Sequence, residues 1–154
     1  MTEAAENAEE PVQRGVVFVL DVEERPGILH AIAAVFAHRG LSIRALVADA
    51  SRHAPRILVA FRGTPRQCRR VEQVLGRLHD VQRLRVLADD APEIHAAAMC
   101  HFLGGDVPPL GGVECRREAG TLLLSGRYAA VVAAVDRLEL TGQLQETFLS
   151  LVAL

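Results

Sequence analysis

Val16-Val17-Phe18-Val19-Leu20-Asp21-Val22-Glu23-Glu24-Arg25-Pro26-Gly27-Ile28-Leu29 is the stretch on which the fold turns. Its opening run is β-branched and aliphatic, too apolar for an edge facing water on both sides, and reads as a buried β-strand. Glu23-Glu24-Arg25-Pro26-Gly27 then breaks the strand, because proline cannot continue the ladder and glycine permits a tight backbone turn. From Ile28 the period changes. Ile28, Ile32, Val35 and Phe36 recur at helical spacing with Leu29 alongside, and Arg39-Gly40 supplies a basic last turn and a C-cap.

Working outward, Leu41, Ile43, Ala45 and Val47 fall on one face of an alternating segment, with Ser42 and Arg44 on the other. Residues 51–55 read as a turn. Ile57, Val59 and Phe61 form a third strand, ended by Gly63-Thr64-Pro65. Cys68, Val71, Val74, Leu75 and Leu78 mark a second amphipathic helix, and Leu84 and Val86 alternate with Arg83 and Arg85 in a fourth strand. The order is β-α-β-β-α-β, an α+β, ferredoxin-like split β-α-β unit with two helices on one face of an antiparallel sheet. The other face is left bare, so something else must pack on or beside it.

The rest of the chain repeats part of this order. Residues 92–103 read as an alanine-rich helix and 104–109 as a loop. Residues 113–117 and 121–125 are two strands across a turn at Ala119-Gly120. Val131, Val132, Val135 and Leu138 give a helix, and residues 144–154 a last strand. That makes α-β-β-α-β, the same unit with its first strand missing or unrecognised. The expected organisation is an acidic, disordered tail over 1–14, a first unit over 15–88 and a smaller α+β unit over 89–154.

Composition bounds the function. The chain has 154 residues with 17 basic and 19 acidic side chains, a net charge of −2 that argues against a general nucleic-acid or membrane-surface binder. Half the residues are hydrophobic and only 4% aromatic, so aliphatic side chains and alanine must fill the core. No apolar run approaches the ~20 residues that span a bilayer. Residues 1–10 carry Glu3, Glu6, Glu9 and Glu10 and no basic residue, the opposite of a signal peptide, which leads to the expectation of a cytoplasmic protein. All 17 basic residues are arginine, so no lysine exists to form a Schiff base. Cys68, Cys100 and Cys115 fit no metal or redox spacing. His30, His38, His95 and His101 form no ligand pair, and no phosphate loop, nucleophile elbow or carboxylate pair is present. Nothing in the chain reads as a catalytic constellation.

Val22-Glu23-Glu24-Arg25-Pro26-Gly27-Ile28-Leu29, followed by Phe36-Ala37-His38-Arg39-Gly40-Leu41-Ser42-Ile43, resembles the opening of ACT domains, and the spacing from Gly27 to Gly40 fits closely. Within that group the chain is most similar to the small regulatory subunits of acetolactate synthase (acetohydroxyacid synthase). Ala119-Gly120-Thr121-Leu122-Leu123-Leu124-Ser125-Gly126 and Leu149-Ser150-Leu151-Val152-Ala153-Leu154 resemble their second domain. The likeness is poor over 88–118. It implies a homodimer whose ACT units pair side by side into one sheet. It also implies docking on a thiamine-diphosphate-dependent catalytic subunit, whose activity is raised and made sensitive to valine or a related branched-chain amino acid. Thiamine diphosphate, Mg and FAD would belong to that catalytic subunit, and no cofactor is expected in this chain.

An amino-acid effector presents a carboxylate, an ammonium and a short apolar side chain. The turn from Glu24 to Gly27 leads into a helix N-terminus, whose free N–H groups and dipole favour a carboxylate. Gly27 allows close approach, and Ile28 and Leu29 supply N–H groups and an apolar wall. By the resemblance, Ser42 and Ile43 correspond to a polar contact across the dimer interface. Members of this group usually carry Asn at the Glu24 and Ser42 positions. Glu24 accepts from an ammonium but cannot donate to a carboxylate, and Ser42 has fewer donors, so a weak or altered valine response is expected. The alternative is that Pro26-Gly27 is only a strand-to-helix turn.

Arginine is the other feature. Nine arginines lie between Arg52 and Arg85 against Glu72 and Asp80 alone. By alternation Arg44, Arg62, Arg83 and Arg85 point away from the helices and would line the bare sheet face as a docking surface for an acidic patch on a partner. Nucleic acid is disfavoured because aromatic stacking partners are absent. The alternative is a solvated charged face, which is the reading given to Arg66, Arg69, Arg70 and Arg77 on the second helix. A stand-alone amino-acid sensor acting as a homodimer is the competing function.

Overall fold

A computed structural model describes residues 12–50 and 55–154. The acidic segment up to residue 11, and most of the turn expected over 51–55, lie outside the described residues. The elements run β1 (Arg14–Val22), α1 (Ile28–Ala37), β2 (Ile43–Asp49), β3 (Arg56–Gly63), α2 (Pro65–Leu75) and β4 (Val81–Ala88). They continue with β5 (Ile94–Phe102), β6 (Val113–Glu118), β7 (Thr121–Arg127), α3 (Tyr128–Leu140) and β8 (Leu144–Ala153). They build two antiparallel four-stranded sheets, in the orders β2-β3-β1-β4 and β6-β7-β5-β8. With β5 as the first strand of the second sheet, the two orders are identical.

The first sheet follows the expected β-α-β-β-α-β plan. β1 is paired on both edges, by β3 and β4, and is covered by α1 and α2 on one face and by the second unit on the other, which explains an unbroken apolar run where a half-exposed strand would alternate. Phe18, Leu20 and Val22 point to the helices and meet Ile32, Val35 and Phe36 of α1 and Val71 and Leu75 of α2. α1 ends at Ala37 with His38 as its C-cap, so Arg39 and Gly40, expected as its basic last turn and C-cap, lie just beyond it. The Arg39 guanidinium donates to the Val35 carbonyl at 2.8 Å, and Gly40 takes φ +62°. α2 begins at Pro65, ahead of its first apolar residue. Thr64 is its N-cap: its hydroxyl accepts from the Gln67 amide at 3.2 Å, while the Gln67 side chain accepts from the Thr64 amide at 2.8 Å. Replacing Thr64 with alanine should lower stability by about 1 kcal/mol through loss of this cap, read as a shift in the urea midpoint.

Three expectations need correction. Residues 92–103 are not a helix but contain the strand β5, the first strand of the second unit. Ile94, Ala96, Ala98, Cys100 and Phe102 alternate inward and are all buried, while Ala97, Met99 and His101 face out. A central position between β7 and β8 overrides the helix propensity of alanine. What the second unit lacks is the helix after its first strand. Residues 103–112 replace it with irregular chain that lays Val107 and Leu110 on the core. This segment is fastened from outside by Arg117, which donates to the carbonyls of Gly105 at 2.6 Å and Gly104 at 2.8 Å, and by Arg137, which donates to that of Pro109 at 3.2 Å.

The second correction concerns the sheet face away from α1 and α2. Its centre is apolar and covered: Val17, Val19, Leu58 and Ala60 share one buried cluster with the inner residues of β5, β7 and α3. The arginines on this face sit at its margins. Arg62 lies opposite Gly15 at one end, Arg83 opposite Asp21 at the other, and Arg85 on the edge strand β4.

The third is a β-bulge at Arg44. Ile43 pairs with Phe61 on the helix side, but after the register shift Ala45 and Val47 pair with Ala60 and Leu58 on the other side. Ile43 and Val47 therefore face opposite ways, and Arg44 stands out of the ladder. Its charge reaches the second unit, where it opposes the upward push that burial gives the Tyr128 phenol.

Candidate functional site

An apolar cleft forms where β1 turns into α1. The turn is held in place by backbone bonds from the Val22 amide to the Pro55 carbonyl at 3.0 Å and from the Glu23 amide to the Asp80 carbonyl at 2.8 Å. Arg25 braces it further, with Glu23 at 3.0 Å and Asp80 at 3.4 Å. Gly27 is the N-cap of α1 at φ +94°, and no side chain caps this helix. The Ile28 amide donates to the Arg25 carbonyl at 3.3 Å and the Ala31 amide to the Gly27 carbonyl at 2.9 Å. Among the described residues, the Leu29 and His30 amides have no acceptor, so α1 presents free N–H groups at its positive end.

The cleft has a volume of about 480 Å³. One wall is Glu24, Pro26, Gly27, Ile28 and Leu29; the other is the end of β2 and the start of β3, from Ala48 to Ala50 and from Pro55 to Ile57. Ile28 and Ile57 are buried and give an apolar floor, while Glu24 stands exposed at the rim. Arg56 is bound to Asp21 at 2.9 Å, and Arg83 approaches the same carboxylate at 4.0 Å. The arrangement offers backbone donors for a carboxylate, an acidic rim for an ammonium and aliphatic walls for a short side chain.

Of the expected effector residues, Glu24, Gly27, Ile28 and Leu29 converge on this cleft. Ser42 and Ile43 do not. They stand at the opposite end of β2 from Ala48–Ala50, with Ser42 exposed and Ile43 against the helix-side core. Sequence reasoning missed the second wall. The signal for it was topological: with β1 paired antiparallel to β3, the last residues of β1 must lie beside the first residues of β3.

Gly27 is there for its backbone. A Cβ at this position would meet nothing within 4 Å, yet φ is +94°. Gly27→Val should therefore cost about 1–2 kcal/mol from conformation alone, and Gly27→Asn distinctly less because Asn tolerates the left-handed region. Denaturation midpoints of the pair separate this cause from a clash.

The remaining polar groups offer little chemistry. Among the described residues no group of three or more His, Cys, Asp and Glu side chains is placed to hold a metal ion. Burial pushes the Cys68 and Cys100 thiols up, which leaves them protonated and poorly nucleophilic. Among the described residues no helix is long and apolar enough to cross a membrane.

No protein-family model matches the chain, and no curated protein matches its sequence. Solved structures do. The small subunit of acetolactate synthase from Thermotoga maritima superimposes with a TM-score of 0.60 at 19% identity, over 93% of this chain and 96% of that one. The regulatory subunit of aspartate kinase from Thermus thermophilus gives 0.45 at 10% identity, over 85% and 93% of the two chains. With two sheets in the same strand order and three helices among the described residues, the chain has a tandem ACT-type fold similar along nearly its whole length to that small subunit.

Proposed function

We propose that this chain is a non-catalytic regulatory subunit that binds a small amino acid in the 24–29 cleft and acts on the catalytic subunit of an acetolactate synthase. The observation that carries the reading is the match in fold to the Thermotoga maritima small subunit across 93% of the chain, with the cleft at the N-terminus of α1. In this reading two copies join edge to edge through their first sheets. Each lends Ser42 and Ile43 to the other's cleft, completing a site that one chain leaves open on one side. Thiamine diphosphate, Mg and FAD reside in the catalytic partner.

Glu24 and Ser42 shape the response. A carboxylate at position 24 holds the effector's ammonium and repels its carboxylate, leaving that group to the α1 amides. Losing one good polar partner costs about 1–3 kcal/mol, or one to two decades of affinity, so valine should act weakly or yield to another amino acid.

The test is to mix the chain with its cognate acetolactate synthase catalytic subunit and assay acetolactate formation with a panel of branched-chain amino acids. Co-elution with stimulation supports the reading, and the inhibition pattern identifies the effector. Unchanged rates without co-elution overturn it in favour of a stand-alone amino-acid sensor. That alternative draws on residues 103–112, where a second unit without its first helix presents a different surface to a partner.

A further inference from the structure

We propose that the hollow between the C-terminal end of α1 and the exposed face of α2 binds a small tetrahedral oxyanion of the phosphate class. The hollow is a shallow depression of about 510 Å³, open to solvent and lined by His38, Arg39, Arg70, Gln73 and Val74. Arg39 is half-buried and already fixed, because its Nη1 donates to the Val35 carbonyl at 2.8 Å. Its orientation is thus set before any ligand arrives, and the rest of the planar fork keeps donors to spare. Arg70 and Gln73 are three residues apart on α2 and project from the same side of that helix.

Two features make this a receptor for an anion rather than an ordinary charged surface. Among the described residues neither Arg39 nor Arg70 is paired with a carboxylate, and neither are Arg66, Arg69 and Arg77 along α2. α2 carries Arg66, Arg69 and Arg70 against Glu72, so its surface stays net positive. A helix C-terminus would normally oppose an anion, but here its carbonyls are occupied. Ala34 accepts from the His38 amide at 3.0 Å, Phe36 from Arg39 at 3.0 Å and Leu41 at 3.1 Å, and Ala37 from Gly40 at 3.1 Å, while Val35 takes the Arg39 side chain. What faces the hollow is guanidinium, imidazole and amide. No Phe or Tyr lines it, so nothing is present to stack a nucleobase, and recognition falls on the anionic head. The site is separate from the effector cleft: the ten residues of α1 put them about 15 Å apart, at opposite ends of one helix. It stands whether or not the regulatory reading holds.

The test is a titration of the full chain with inorganic phosphate at constant ionic strength, following the arginine Nε–H resonances by NMR and the heat by calorimetry. Saturable shifts at Arg39 and Arg70 are expected. Arg70→Gln should weaken binding at least tenfold, whereas Arg66→Gln, exposed on the same helix but off the hollow, should leave it within twofold. Both variants should melt like the parent. Phenyl phosphate separates the sources: competition with phosphate marks a site open to phosphomonoesters, and failure to compete marks one for the free ion. Shifts that rise linearly without saturating, or equal losses in the two variants, indicate only a diffuse ion atmosphere and overturn the proposal.

Discussion

Replacing Phe61 with alanine will remove about 3–5 kcal/mol from a fold whose whole stability is of order 5–15 kcal/mol. Phe61 is 1% exposed, and its ring centroid lies 5.2 Å from that of Phe18 and 5.0 Å from that of Phe36, the latter edge-on at 75°. Phe18 and Phe36 are 6.4 Å apart, so Phe61 is the member that joins the other two. Each such pair contributes about 0.5–1.5 kcal/mol beyond the area it buries. The three rings come from β1, α1 and β3, and the chain has only five Phe in all, so no other aromatic can close the gap. The urea midpoint should fall sharply with an unchanged slope, and Phe61→Leu, which keeps most of the volume, should lose clearly less. Val22, Ile28 and Ile57 of the cleft at the start of α1 belong to the same cluster, so on the proposed function the alanine variant should also blunt an amino-acid response. Equal midpoints for the parent and both variants would mean that the trio does not anchor α1 to its sheet.

Much of the first unit was legible because its residues obey local rules. The apolar run over β1, the Pro26-Gly27 break and the four-residue spacing of Ile28, Ile32 and Phe36 each name one structure. The second unit was harder where tertiary context overrules propensity. Ile94-His95-Ala96-Ala97-Ala98-Met99-Cys100 has the alanines of a helix, and its period of two shows only once every second residue is found buried. The Arg44 bulge has no sequence mark, since Ile43, Ala45 and Val47 alternate perfectly along the chain and diverge only through pairing with β3. Gly63-Thr64-Pro65 reads as a strand end, but Thr64 followed three residues later by Gln67 is also the mark of a capping box. For the cleft, the loop half lay in one continuous motif and could be read directly. The half built from Ala48 to Ala50 and Pro55 to Ile57 depends on which strand ends meet.

The face of the first sheet turned away from its helices shows how burial redirects a charge argument, and a substitution there tests it. Alternation placed arginines on that face, and Arg62, Arg83 and Arg85 are indeed on it, but they border an apolar centre that the second unit covers. Leu58 lies in that centre, 3% exposed, with Val19 beside it on β1 and Val47 on β2. Leu58→Asp removes the leucine's burial and puts a carboxylate into a core where no described polar or charged side chain is buried, a loss of at least about 4 kcal/mol. The lesion differs in kind from Phe61→Ala. A cavity among three rings can only be endured, whereas a carboxylate between two layers reaches water if the layers part. The expected signature is therefore a lowered melting temperature together with rapid proteolysis in residues 89–93, between β4 and β5, and uptake of an apolar dye. Leu46→Asp, on the neighbouring strand at 36% exposure, is the control and should stay within about 0.5 kcal/mol of the parent. If Leu58→Asp melts with the parent and resists protease, the two sheets do not share the core described for them, and the bare face with its bordering arginines returns as the surface for an acidic partner.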